Sequence, residues 1–222
     1  MKRLKAVLFD IDGTLLDSAE FIYRAFAHVL RERKLPPRSR ADMAAVMGVS
    51  LEECYRVLAG GGDLEAMCRE HRAFQRQHLD LPRAFPGAIE VLEELARMGL
   101  RMAAVTTRSR ISSLTTLERC GLARFMQTVM SAEDTPNLKP HPEPLRKALA
   151  VLKVRPAQAV MVGDTEADVQ AGRSAGTLTV GAVYGFQGAA VQRCNPDYVI
   201  RSIRELPAVL ARIGARGAAR LP

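Results

Sequence analysis

Tryptophan is absent, and aromatic residues make up only 5% of the 222 residues. Stacking platforms for unpaired bases depend on aromatic side chains, so the chain is poorly equipped to hold single-stranded nucleic acid. Lysine is scarce too, with six Lys against 26 Arg. The arginines are dispersed along the whole chain. The net charge of +8 therefore reads as a compositional bias and not as a nucleic-acid-binding stripe. No apolar run approaches the roughly 18 residues that a membrane-spanning helix requires. The basic start Met1-Lys2-Arg3-Leu4-Lys5 precedes an apolar stretch, but Asp10 and Asp12 interrupt that stretch too early for a signal peptide. Cys54, Cys68, Cys120 and Cys194 are scattered, with no Cys-x-x-Cys pair, which argues for free thiols over zinc or a disulfide framework. There is no internal repeat and no low-complexity tract. These absences lead us to expect a cytoplasmic globular protein with neither a membrane nor a nucleic acid as its partner, and a monomer or homodimer is expected. Its 48% hydrophobic content is enough for a real core.

Short apolar strand candidates alternate with helical stretches, a pattern that predicts a parallel α/β sheet. The strands are expected at 5–9, 101–106, 126–130, 158–162, 177–183 and 197–200. The helices are expected at 87–98, 110–120, 142–153, 165–175 and 202–212. Residues 18–83 break the alternation and hold no convincing strand. There, Phe21, Ala25 and Val29, with Ile22, Phe26 and Leu30, mark one apolar helix face over about 18–34. Pro36 and Pro37 stop that helix. Short helices are expected at 40–47 and 50–59, Gly60-Gly61-Gly62 makes a break, and a charged helix covers about 63–79. The expected organisation is a core of residues 1–17 and 84–222 with a helical insertion, 18–83.

The most telling stretch is Leu8-Phe9-Asp10-Ile11-Asp12-Gly13-Thr14. Side chains two apart on a strand point the same way, so Asp10 and Asp12 emerge together where the first strand ends and Gly13 permits a sharp turn. Close like charges are costly without a cation or a shared proton. A metal site with one carboxylate as nucleophile and the other as acid/base is one reading, and an Asp-rich turn is the other. Three further features fall at strand ends, where sites assemble in open α/β sheets. Val105-Thr106-Thr107-Arg108-Ser109 offers a hydroxyl and backbone N–H groups at a helix start, suited to phosphate. Lys139-Pro140-His141-Pro142 delivers a cation on a backbone fixed by prolines. Gly163-Asp164-Thr165-Glu166-Ala167-Asp168 places two carboxylates one helical turn apart, a hard oxygen set suited to Mg2+.

In order and placement these four elements resemble those of the haloacid dehalogenase (HAD) superfamily, from Leu4 to about Leu210. The resemblance implies a Rossmann-like parallel sheet flanked by helices, with residues 18–83 as the family's small all-helical cap. It implies a Mg2+-dependent phosphatase acting on small phosphorylated metabolites. Asp10 would attack phosphorus and form an aspartyl-phosphate. Asp12 would protonate the leaving group and then activate water. Mg2+ would bind Asp10, the backbone carbonyl of Asp12 and Asp164, with Asp168 supporting the set. Thr106 and Lys139 would hold phosphoryl oxygens, with Thr107 adding its N–H and Arg108 contacting an acidic substrate. The segment 171–185 is most similar to phosphoglycolate phosphatases, whereas Thr106-Thr107-Arg108 and Lys139-Pro140-His141-Pro142-Glu143-Pro144 are closer to pyrophosphatases of the same branch. Asp12 speaks against phosphonate and halide chemistry. Ile22, Leu51 and Gly163 stand where a beta-phosphoglucomutase carries His, Arg and Glu. A nucleic-acid end phosphatase is favoured by the charge alone. Within the cap, Tyr23, Arg24 and the Gly48–Glu53 loop are the candidates for choosing substrate. His28, His71, His78 and His141 need no catalytic role.

Overall fold

The first apolar run becomes β1 (Ala6–Phe9) and takes an inner position in a sheet. The computed structural model describes residues 4–218. Met1-Lys2-Arg3, the basic start weighed above, and residues 219–222 of the expected core lie outside them.

After β1 the chain forms the two-residue strand β2 (Leu16–Asp17) and then four helices: α1 (Ala19–Glu32), α2 (Arg40–Ala45), α3 (Leu51–Ala59) and α4 (Leu64–Gln77). It returns through β3 (Arg83–Ala84), which pairs antiparallel with β2, Leu16 opposite Ala84 and Asp17 opposite Arg83. This hairpin was not expected. Two-residue strands are too short to show any periodicity. It sits where the helical segment leaves and rejoins the sheet region.

The remainder alternates: α5 (Ala88–Arg97), β4 (Arg101–Val105), α6 (Arg110–Arg119), β5 (Thr128–Met130), α7 (Glu143–Leu152), β6 (Ala159–Gly163), α8 (Glu166–Ala175), β7 (Leu178–Ala182), β8 (Tyr198–Ile200) and α9 (Leu206–Ala218). Six strands form one parallel sheet in the order β5-β4-β1-β6-β7-β8. All the expected sheet strands are present, with ends shifted by one or two residues. The last helix starts at 206, later than expected. Ser202 accepts a hydrogen bond from the Arg204 N–H in a short 3-10 turn first. Pro207, which lacks an N–H, then fits the first turn of α9.

Both faces of the sheet are covered, as parallel sheets require. Along β1 the side chains alternate: Val7 and Phe9 enter one apolar cluster with α5 and α9, and Ala6 and Leu8 enter another with α7 and α8. The four helices of the insertion bury a third cluster of their own, built on Phe21, Phe26, Leu30, Met43 and Tyr55. All six residues of the face read from the sequence of α1 are buried.

Candidate active site

The expected site residues gather at the C-terminal ends of the strands: Asp10 follows β1, Thr106 follows β4, Asp164 follows β6, Lys139 lies in the connection from β5 to α7, and Asp168 is in the first turn of α8. Because the strands are parallel and adjacent, these ends share one edge, and residues distant in sequence meet there.

Lys139 organises the floor. Its Nζ donates to Asp10 Oδ1 at 2.6 Å, to Asp168 Oδ1 at 2.7 Å and to the Val105 carbonyl at 2.8 Å. A lysine has three donors, and all three are used. Its side chain is only 3% exposed. Burial alone would lower the Lys139 pKa, but the Asp10 and Asp168 carboxylates raise it above its ordinary value. The lysine is therefore a fixed positive charge.

One cation does not neutralise this cluster. Burial pushes the Asp10 carboxyl up to about 7; Lys139 opposes this, while Asp168 and Asp12 add to it. Burial likewise raises Asp164 well above the usual carboxylate range, reinforced by Asp10 and Asp168. Asp164 is held by two donors, Thr14 Oγ1 at 3.2 Å on Oδ1 and the Phe186 N–H at 2.6 Å on Oδ2. Asp168 closes a capping box at the start of α8, its Oδ2 accepting from Thr165 N at 3.1 Å and Thr165 Oγ1 at 2.7 Å. Asp10, Asp164 and Asp168 each present a carboxylate oxygen within 4.8 Å of the others. Buried, undercompensated oxygen donors at this spacing fit a hard divalent cation. Asp168 is bound to the buried Lys139 cation and to the helix cap, and Asp164 takes only neutral donors from Thr14 and Phe186, so Asp10, with one oxygen unengaged by the described residues, and Asp164 keep more of their charge for an ion.

Asp12 stands beside this set. Its Oδ1 accepts Ser18 Oγ at 2.5 Å and Arg108 Nη1 at 3.0 Å. Thr106 is buried, and its Oγ1 accepts the Arg108 N–H at 3.2 Å. Gly13, at φ 78°, makes the turn between Asp12 and Thr14. A Cβ there would collide with the Asp164 carboxylate, so glycine allows both the turn and the close approach.

A family model described as haloacid dehalogenase-like hydrolase matches residues 7–182. This chain belongs to that family. A pyrophosphatase PpaX of Bacillus mycoides is 33% identical over 95% of this chain and 99% of its own length. The Bacillus velezensis protein of the same name is 34% identical over 92% and 95%. The crystal structure of a predicted phosphoglycolate phosphatase from Haemophilus somnus superposes with a TM-score of 0.86, at 23% identity over 94% of this chain and 99% of the other, a likeness of fold. The activity class is that of a HAD-family phosphatase.

In this HAD hydrolase the edge that carries these residues forms the floor of a cavity of about 220 Å³, and the inserted helices form its roof. Asp10, Asp12, Thr106, Thr107, Arg108 and Lys139 all border it. From the roof come Gly48 to Glu52, within the expected loop, while Glu53 turns away to pair with Arg56. Two other cap candidates do not reach the cavity. Tyr23 packs near Phe186, with its ring 5.1 Å from the Arg40 guanidinium, and Arg24 pairs with Glu20 on the outer surface.

Sequence reasoning missed Ile22, Phe26, Cys54, Arg72 and Gln75, which also line the cavity. An apolar helix face looks the same in sequence whether it meets a core or a cavity. Thr14, Ser18 and Phe186 were missed as well. The first two belong to the Asp10–Ser18 run and could have been marked as its polar neighbours. Phe186 acts through its backbone N–H, which carries no residue signature. His71 is buried and bonded to Tyr55 Oη at 2.9 Å, yet it borders the cavity.

Proposed function

We propose that this protein hydrolyses small phosphorylated compounds with the help of Mg2+, through an aspartyl-phosphate on Asp10, and that inorganic pyrophosphate is its foremost substrate. The observation that carries the reading is Asp10 itself. One of its oxygens is tied to Lys139; its other oxygen has no protein donor among the described residues, and the side chain opens onto the cavity.

The ion would be held by Asp10 and Asp164 with the Asp12 carbonyl, and when bound it supplies the charge that lets a carboxylate approach an anionic phosphate. Asp10 attacks phosphorus, forming an O–P bond as the bond to the leaving oxygen breaks. Asp12 gives that oxygen a proton where the leaving group needs one. Asp12 then takes a proton from a water that attacks the aspartyl-phosphate, which frees phosphate and restores Asp10. Thr106 holds a phosphoryl oxygen, with Thr107 adding its N–H, and Lys139 reaches another by giving up one of its three present acceptors. Phosphoryl transfer asks mainly for positioning and charge neutralisation, and a buried lysine with all its donors engaged supports both. Asp168 acts through Lys139 and the helix cap.

Pyrophosphate is preferred because full-length relatives near one-third identity carry that name. The cavity is also small. Phosphoglycolate, suggested by segment 171–185, is the second substrate to try. A sugar phosphomutase is disfavoured by the apolar Ile22 and Leu51 bordering the cavity, and a nucleic-acid end phosphatase by the roof over it. The test is a screen of pyrophosphate, phosphoglycolate and nucleotides with Mg2+, read as released phosphate, beside thermal unfolding with and without Mg2+. The expected result is phosphate release, fastest from pyrophosphate, and a Mg2+-dependent rise in Tm that Asp164→Asn removes. Release from none of them would overturn the reading.

A further inference from the structure

Arg108 is a buried cation whose charge the steps above leave unassigned. Its side chain is 8% exposed and borders the cavity. Nη1 donates to Asp12 Oδ1 at 3.0 Å, Nη2 donates to Ser112 Oγ at 2.6 Å, and the guanidinium lies 4.9 Å from the Phe21 ring centroid. Nε is buried with no acceptor. Protein interiors seldom leave such a donor unmet, so this arrangement does not satisfy the whole guanidinium.

The Asp12 side of the contact is equally telling. The oxygen held by Arg108 is the one that also accepts Ser18 Oγ at 2.5 Å. A carboxylate that must pass a proton to a leaving group is thus held on one oxygen by two donors. A second guanidinium, Arg72 on α4, borders the same cavity, with no carboxylate partner among the described residues. Both arginine charges act on the buried His71 at the cavity wall. Glu52 borders the cavity too but is paired with Arg56 on its own helix, so Arg108 and Arg72 are the cations placed to meet an anionic group beyond the one that Lys139 and an ion would hold.

We propose that Arg108 is a specificity-determining residue that binds a second anionic group, phosphoryl or carboxylate, on the leaving side of the substrate. In turning to that group it loosens its hold on Asp12. The proposal rests on the phosphoryl-hydrolase reading above. A guanidinium suits this exchange because its planar fork binds carboxylate and phosphate oxygens alike, often two at a time. A substrate with no second charge offers Arg108 nothing in place of Asp12.

The experiment is steady-state kinetics with Mg2+ on pyrophosphate, phosphoglycolate and 2-hydroxyethyl phosphate. The last matches phosphoglycolate in length but ends in a neutral hydroxyl. Wild type is compared with Arg108→Gln and Arg108→Lys. The wild type is expected to prefer a doubly anionic substrate, pyrophosphate if the second group is phosphoryl and phosphoglycolate if it is carboxylate. In Arg108→Gln the ratio of kcat/KM for that substrate over 2-hydroxyethyl phosphate should fall about tenfold or more, chiefly through KM, with Arg108→Lys between the two. Taking a ratio within each variant removes differences in folded fraction. An unchanged ratio in Arg108→Gln, or a wild type indifferent to the second charge, would overturn the proposal and leave the hydrolase reading standing. Absence of release from all three substrates would instead count against that reading, and the role of Arg108 would fall with it.

Discussion

On the floor of the cavity, Lys139 spends every donor on a named acceptor and is almost wholly buried. On the roof, Arg72 is exposed and has no carboxylate partner among the described residues, and Glu52 is tied to its own helix through Arg56. The floor hangs on the ends of neighbouring strands in one parallel sheet. The roof hangs on helices packed around an apolar cluster of their own. Phosphoryl chemistry is the same for every substrate and demands fixed geometry. Leaving groups differ, and side chains that are not locked together can accommodate a different one without disturbing the floor. Under the proposed function, the contrast would assign reaction type to the floor and substrate choice to the roof, with Arg108 as the floor residue facing both.

The largest effect should come from the floor. Asp10→Asn should lower kcat by more than the roughly 10²–10⁴-fold that proton-transfer assistance contributes, with circular dichroism and Tm showing an intact fold. Turnover near wild type would end the nucleophile assignment. Asp12→Ala should fall within that range of 10²–10⁴-fold, visible in kcat. Its loss should be milder on pyrophosphate than on alkyl phosphates, because departing phosphate needs a proton less than an alkoxide does. Equal losses on both would blur the division of labour between the two aspartates.

A change where roof meets floor should be smaller. Gly48 has φ 100°, and a Cβ there would lie 2.7 Å from Thr165 Oγ1. Gly48→Ala should tilt the roof away from the α8 N-terminus and cost about ten- to a hundred-fold in kcat/KM. Unaltered kinetics would show that the two halves are not registered through this contact.

The smallest effect concerns stability and belongs to the roof alone. Burial depresses His71 from 6.5 to about 3, so the folded protein keeps it neutral while the unfolded chain protonates it below its ordinary value. Its contribution is complete above about pH 6.5 and is lost as pH falls toward about 3. At about pH 5 the loss should be on the order of 2 kcal/mol. Denaturant unfolding at neutral and mildly acidic pH measures it, and His71→Gln should flatten the difference. A slope unmoved by that variant would place the acid sensitivity elsewhere, and not in Asp10 or Asp164, whose raised carboxyls make the fold gain stability as pH falls.

The parts of the site that were legible share one property. Asp10, Thr106, Lys139 and Asp164 each follow a short apolar run or precede a helix start, and a change from strand to helix pattern is a local signal. The α1 face from Phe21 to Leu30 was legible for the same reason. The hairpin of β2 and β3 was not, since two residues carry no period and their pairing spans the whole insertion. Tyr23 and Arg24 were drawn from the correct helix but the wrong side of it. Periodicity identifies an apolar face without saying what that face will meet.

Sequence alone determined the order of strands and helices, the chemical types at the strand ends and the family to which they belong, because each is written in neighbouring residues. Only the tertiary structure decided that Lys139 would clamp Asp10 and Asp168, that Arg108 would hold Asp12, and which roof residues would border the cavity. Those contacts join positions as many as 129 residues apart. Their geometry comes from the parallel sheet, which brings separated loops to one edge and buries their charges together.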